Sequence, residues 1–119
     1  MAAGIEMIRA QPVDLMQADA ADFVEARLKT PQATGTTRVL MHSIVWQYLP
    51  DTVQRRISAA MADAGAKATA DKPLAWISLE TNRATFRHEL KVSYWPGGSA
   101  PVLLGEAHAH GIWVNWMGV

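Results

Sequence analysis

The segment Val39–Asp51, VLMHSIVWQYLPD, constrains the fold of this chain more than any other stretch. Its apolar run predicts a buried strand over Val39–Trp46, and Asp51 then predicts the start of a helix. Ligands of open α/β sheets bind in the crevice beyond the carboxyl ends of parallel strands. The first candidates for contacts to a cofactor or substrate are therefore the polar and aromatic residues at this end: His42, Ser43, Trp46 and Tyr48.

A second apolar strand, predicted at Pro73–Leu79, follows the helix that begins at Asp51. Asp51 is predicted to be the N-cap of this helix, and Gly65 its left-handed end. The order strand, helix, strand predicts a parallel crossover. We expect Ile57 on the apolar stripe of the helix and Trp76 on the second strand to be buried in one cluster.

The carboxyl-terminal third has the pattern of an antiparallel hairpin. Leu90–Tyr94 alternates apolar with polar residues, Pro96–Ser99 predicts a turn, and Val102–Ala107 returns as a strand. A last strand is predicted at Ile112–Trp116. The predicted fold class is therefore α/β, with a mixed sheet in which a parallel crossover precedes antiparallel carboxyl-terminal strands.

The amino-terminal region predicts shorter elements. Residues 2–11 predict a helix that Pro12 stops, and Val13–Gln17 predicts a short strand. Asp19 then has the position of an N-cap for a short helix with one apolar face. A polar loop at Thr30–Thr37 leads to the strand already described.

Length and composition limit the possible functions. A chain of 119 residues predicts a single domain, 1–119, and its 11 basic and 11 acidic residues give no electrostatic footprint for nucleic acid or a membrane surface. The absence of cysteine excludes a disulfide framework, a thiolate zinc site and a cysteine nucleophile. No apolar run approaches the roughly 18 residues of a membrane span, and the start is too weakly apolar for a signal peptide. We therefore expect a cytoplasmic protein.

Four motifs carry a family resemblance: HSIVWQYLP at 42–50, PLAWISLE at 73–80, YWPGG at 94–98 and HGIWVNW at 110–116. Together they resemble the carboxyl-terminal part of the bacterial domain-of-unknown-function family numbered 2332, and the order of elements is similar to the second half of a Rossmann-like, class I S-adenosylmethionine-dependent methyltransferase. The resemblance implies that Val13–Ala20 corresponds to the third strand of such a sheet and Val39–Trp46 to the fourth. It also implies that the acidic turn at Asp19 approaches the adenine of the cofactor.

The chain departs from the methyltransferase pattern in its cofactor site. The glycine-rich loop and the acidic ribose-binding residue have no counterpart in this sequence. We therefore expect an incomplete, carboxyl-terminal part of a methyltransferase-like domain that holds no cofactor and is not catalytic alone, with an unknown small-molecule ligand. The alternative is a non-catalytic binding or assembly module that forms a homodimer, because the strand at Val39–Trp46 is expected to leave an unpaired edge.

Each candidate site residue also has a structural interpretation. His42 and Ser43 are adjacent in a strand and point to opposite faces, so they cannot form a nucleophile and base pair. Trp46 and Tyr48 can stack on a flat ligand or can cover the start of the following helix. His42 can equally be a hydrogen-bonded buried histidine, and Asp19 is fully explained as a helix cap.

Two further histidines, His108 and His110, have the spacing that places both on one face of a strand. No third ligand lies at a diagnostic spacing, so no metal site is predicted. His110 is also a candidate contact to a cofactor or substrate, although the His110–Gly111 pair is part of the family motif and a role in a turn is the simpler interpretation.

Overall fold

The structure, a computed structural model, describes residues 2–98 and 100–118. Three helices, a short 3-10 helix at Trp46–Tyr48 and five strands are formed: α1 Ala2–Ala10, α2 Ala20–Lys29, β1 Arg38–Ser43, α3 Asp51–Ala66, β2 Leu74–Thr81, β3 His88–Trp95, β4 Val102–Ala107 and β5 Val114–Trp116.

The five strands form one mixed sheet in the order β1-β2-β3-β4-β5. β1 and β2 are parallel, with Arg38 opposite Leu74 and Ser43 opposite Leu79, and all later pairs are antiparallel. The predicted α/β class, the parallel crossover through α3 and the antiparallel hairpin of β3 and β4 are thus confirmed. The predicted turn between these two strands includes Ser99, which lies outside the described residues.

The hydrophobic core lies between α2, α3 and one face of the sheet, here called the inner face. Val24 of α2 and the buried Ile57 and Met61 of α3 pack with Leu74 of β2 and Trp95 of β3. Ile57 and Met61 are four residues apart and therefore lie on the same face of α3.

Two predictions about α3 are wrong. Pro50, not Asp51, is the N-cap residue. Asp51 lies in the first turn, where its negative carboxylate interacts favourably with the positive end of the helix dipole. Gly65 does not end the helix, which continues to Ala66. A Cβ at Gly65 would lie 2.5 Å from Cδ2 of Trp95, so this position requires glycine because the indole ring packs directly against the helix backbone.

The predicted strand at Val13–Gln17 is also wrong. Residues 12–18 are neither helical nor paired, and every residue from 2 to 19 is exposed. Alternating apolar residues form a strand only where a neighbouring strand supplies hydrogen-bond partners, and no described strand lies beside this segment. Asp19 does cap α2, because its carboxylate accepts a hydrogen bond from the backbone N–H of Asp22 at 3.0 Å.

The predicted strands at either end of the sheet are shorter than expected. β1 ends at Ser43 because Ile44 adopts a positive φ of 47°, which turns the chain out of the sheet before Trp46. β5 begins at Val114, because the turn that contains Gly111, at φ 79°, continues through Ile112.

We expect Gly65→Ala to lower the free energy of unfolding by about 1–3 kcal/mol, because the added methyl group must displace the packed ring of Trp95. Urea denaturation followed by circular dichroism measures the change. Gly4→Ala is the matched control, since a Cβ there meets no atom within 4 Å and alanine favours the helix. Equal stability of the two variants would contradict this packing.

Candidate functional site

The inner face of the sheet changes from apolar to polar along the strands. On β2 the inner-face residues run from the buried Leu74 through the half-buried Trp76 to Ser78 and Glu80. On β1, His42 lies opposite Ser78 in the parallel register. The apolar end packs with α2 and α3, and the polar end, at the carboxyl ends of the parallel strands, borders a groove.

His42 is held from both sides of its ring. Its Nδ1 lies 2.7 Å from Oε2 of Glu80, and the indole Nε1–H of Trp76 donates to its Nε2 at 2.8 Å. An indole nitrogen can only donate, so Nε2 must be the unprotonated nitrogen and Nδ1–H must donate to the carboxylate. The hydrogen bonds therefore assign a neutral His42 with the proton on Nδ1.

Trp46 covers this histidine. The two rings are stacked with centroids 5.2 Å apart and planes 18° from parallel, and the ring of Trp76 stands tilted beside both. The carbonyl of Trp46 accepts a hydrogen bond from Nε2 of Gln54 in α3 at 2.9 Å. The short 3-10 helix is therefore tied to α3, and Trp46 is fixed over the end of β1.

The Glu80 carboxylate also binds the chain that leaves β1. Its Oε1 accepts the backbone N–H of Val45 at 3.0 Å and that of Trp46 at 3.2 Å. These amides point toward the carboxylate because the preceding residue, Ile44, has a positive φ. A β-branched residue in that region is strained, and such strain persists only where surrounding contacts stabilise it.

The groove next to this network has a volume of about 460 Å³, within the ~300–1,000 Å³ typical of small-molecule sites. One wall is aromatic, formed by Trp46 and Trp76. The neighbouring part of the lining is polar: Nζ of Lys91 lies 3.3 Å from Oε1 of Glu89, and Oε2 of Glu89 accepts a hydrogen bond from Nδ2 of Asn82. The site thus combines flat apolar surfaces with a charged pair of opposite sign.

Of the residues proposed from the sequence, the structure brings His42 and Trp46 together at this groove. Ser43 is exposed on the opposite face of the sheet. Tyr48 is 72% exposed and, like Asp19 at the start of α2, is not among the residues that line the groove. His110 lies in the turn after β4, where its backbone N–H donates to Nδ1 of His108 at 3.1 Å.

His108 and His110 are therefore turn residues and do not share a strand face. Among residues 2–98 and 100–118, no three histidine, aspartate or glutamate side chains are grouped closely enough to hold a metal ion.

Sequence reasoning missed the partners of His42. Ile57 is buried in the core as expected. Trp76 was expected there too, but it is half-buried, because it lies at the boundary between the core and the groove. Glu80 is the last residue of the motif PLAWISLE. Polar residues at the carboxyl ends of parallel strands are candidates for ligand contacts, and this criterion, which selected His42, also applies to Glu80. Lys91 and Glu89 come from an antiparallel strand, and only the register with β2 places them at the groove.

Fold and groove together define an α/β domain with a mixed five-stranded sheet and a groove of small-molecule size beside its two parallel strands. The model of a family described as "Uncharacterized protein conserved in bacteria (DUF2332)" matches residues 1–116, and the chain belongs to this family. The resemblance of the four motifs to that family is thus confirmed. No curated protein and no solved structure matched the chain.

None of the helices in the described part of the chain combines the length and the apolar character needed to cross a membrane.

We expect Glu80→Gln to destabilise the protein by about 1–3 kcal/mol, because the amide NH₂ group would face backbone N–H groups or His42 and leave a partly buried donor without an acceptor. Thermal and urea unfolding measure the loss. Glu89→Gln is the matched control, since Glu89 also lines the groove and, within the described residues, its carboxylate bonds side chains, those of Lys91 and Asn82, and no backbone amide. A loss in the control as large as that in Glu80→Gln would contradict the proposed part of Glu80 in fixing the loop.

Proposed function

We propose that this chain is a binding domain for a small polar molecule with a flat ring, built on the carboxyl-terminal part of a methyltransferase-related fold. The observation that carries the proposal is the groove that Trp46 and Trp76, both in contact with His42, line together with the Glu89–Lys91 pair. Its position at the carboxyl ends of two parallel strands agrees with where α/β sheets bind ligands. A cytoplasmic location belongs to the same proposal.

The chemistry of the two walls favours this ligand class. Flat indole surfaces favour stacking of a planar ring, and the half-exposed Lys91 and the Glu89 carboxylate offer a donor and an acceptor for polar substituents. The Glu80 carboxylate is already occupied by His42 and two backbone amides. The polar contacts of a ligand are therefore assigned to Glu89 and Lys91.

Binding is favoured over catalysis by the state of His42. A general base needs a free lone pair within reach of the proton that it abstracts. The lone pair of Nε2 accepts the indole N–H of Trp76 instead, and Nδ1 carries the proton shared with Glu80. His42 thus acts as a positioning residue for the aromatic wall.

A role in assembly is the second candidate, and the apolar outer face of the sheet favours it. Val39, Met41, Tyr94 and Val102 are between 49% and 64% exposed there.

We expect a panel of aromatic amino acids, indoles and pterins to contain at least one compound that raises the melting temperature and quenches tryptophan fluorescence saturably, since a ligand of the native state stabilises it by mass action. Trp46→Leu should abolish both effects. Tyr48→Leu is the matched control, because this aromatic residue lies in the same short helix but is exposed outside the groove. Saturable binding that survives Trp46→Leu unchanged would place the ligand elsewhere.

S-adenosylmethionine itself is expected not to bind appreciably to this chain, because the sequence has no counterpart of the glycine-rich loop and the ribose carboxylate. Isothermal titration tests this directly. Saturable micromolar binding that is lost on Asp19→Ala would show that the acidic turn before α2 forms a sufficient half-site.

A further inference from the structure

The edge of β1 is open. The backbone N–H of Arg38 donates to the carbonyl of Pro73, and that of Ile44, just beyond the strand, donates to the carbonyl of Leu79. Backbone N–H groups alternate in direction along a strand, so those of Val39 and Met41 point away from β2. No described strand pairs with them. The strand also lacks the usual protection of an edge, because the one charged side chain, Arg38, is turned onto the carbonyls of Leu28 and Thr30.

The outer face of the sheet next to this edge is apolar. The register places Val39 and Met41 of β1 in one surface with Ile77 of β2 and Val92 of β3. Val39 and Met41 are 50% and 64% exposed. Helices α2 and α3 pack on the inner face, so the edge and the outer face together form a surface that another segment can cover.

The amino-terminal segment, residues 2–18, has the complementary character. All its residues are exposed, and six large apolar side chains are among them: Ile5, Met7, Ile8, Val13, Leu15 and Met16. Helix α1 has nine residues and buries none of them. A helix shorter than about 12 residues is marginal in water without tertiary packing, so α1 needs a surface to be stable.

The exposed area supports an interface of obligate size. The chain exposes 8522 Å², whereas a folded monomer of 13.0 kDa exposes about 6,300 Å². The excess of roughly 2,200 Å² lies within the ~1,000–2,500 Å² that one partner contributes to an obligate interface. The radius of gyration, 15.7 Å, also exceeds the ~13.5 Å expected for this length.

We propose that the protein forms a two-fold dimer by exchange of this segment: residues 12–18 of each chain pair with the edge of β1 in the second copy, and α1 packs on its outer face. Residues 12–18 lack a strand partner, and β1 of the same chain lacks a neighbour on one side. In a dimer, each chain can therefore supply the strand that the other lacks. The symmetry is closed, and the β1 edge of each copy is paired. Because the formal net charge is zero, electrostatic repulsion between two copies is minimal.

The oligomeric state is the first test, independent of ligand binding in the groove. Light scattering after size exclusion at low micromolar concentration should give a mass near 26 kDa, twice the 13.0 kDa of one chain. A 13 kDa species would overturn the proposal. Deletion of residues 2–18 should convert the dimer to a monomer, with circular dichroism to confirm that the truncated chain stays folded, and a persistent dimer would contradict exchange.

A proline at the edge tests the strand pairing. Met41→Pro removes an amide that points away from β2, so it should leave the sheet folded and yield a monomer. Met41→Thr is the matched control, because it shortens the same side chain and keeps the amide, and it should remain a dimer. If both variants are monomers, the contact depends on the methionine side chain and the strand pairing is wrong.

Disulfide trapping separates exchange from folding back within one chain. The protein has no cysteine, so Leu15→Cys with Met41→Cys introduces the only two thiols. Oxidation should give a covalent dimer on a non-reducing gel. A disulfide within a single chain, or thiols that stay free after oxidation, would overturn the exchanged arrangement.

Discussion

The carboxylate of Glu80 is the contact on which the candidate site depends, because it joins three groups from a distant part of the chain. It accepts the proton on Nδ1 of His42 and the backbone N–H groups of Val45 and Trp46. These bonds stabilise the strained conformation of Ile44, and that conformation in turn directs the chain from β1 into the short helix that carries Trp46. Charge-assisted hydrogen bonds are the stronger kind, so a single carboxylate can hold this loop.

The core and the groove use the same strands. Packing of Trp95 against the backbone at Gly65 fixes α3 close to the sheet at one end. Further along the same face the helix no longer covers the strands, and polar residues replace apolar ones. Trp76 stands at the boundary, with its ring against the core and its indole nitrogen on His42. The core therefore supports the aromatic wall of the groove directly.

β1 connects the two proposals made for this protein. Its inner face carries His42, which positions the aromatic wall of the groove. Its outer edge carries the amides that a second copy is proposed to pair. A central strand is more constrained than an edge strand, because its backbone groups are bonded on both sides. Pairing of the edge is therefore expected to hold His42 and the loop after Ser43 in place.

The sequence by itself determined the element types and the family. Apolar periodicity marked β1, α3 and β2, the turn residues after Tyr94 marked the hairpin, and four motifs carried the family resemblance. These signals are local, so they fix what each segment forms. Tertiary structure alone decided that Val13–Gln17 stays unpaired and that Glu80 and Trp76 meet His42, because pairing and side-chain contacts depend on strand register. Gly65 illustrates the difference: the residue is visible in the sequence, but only the position of Trp95 explains why it is glycine.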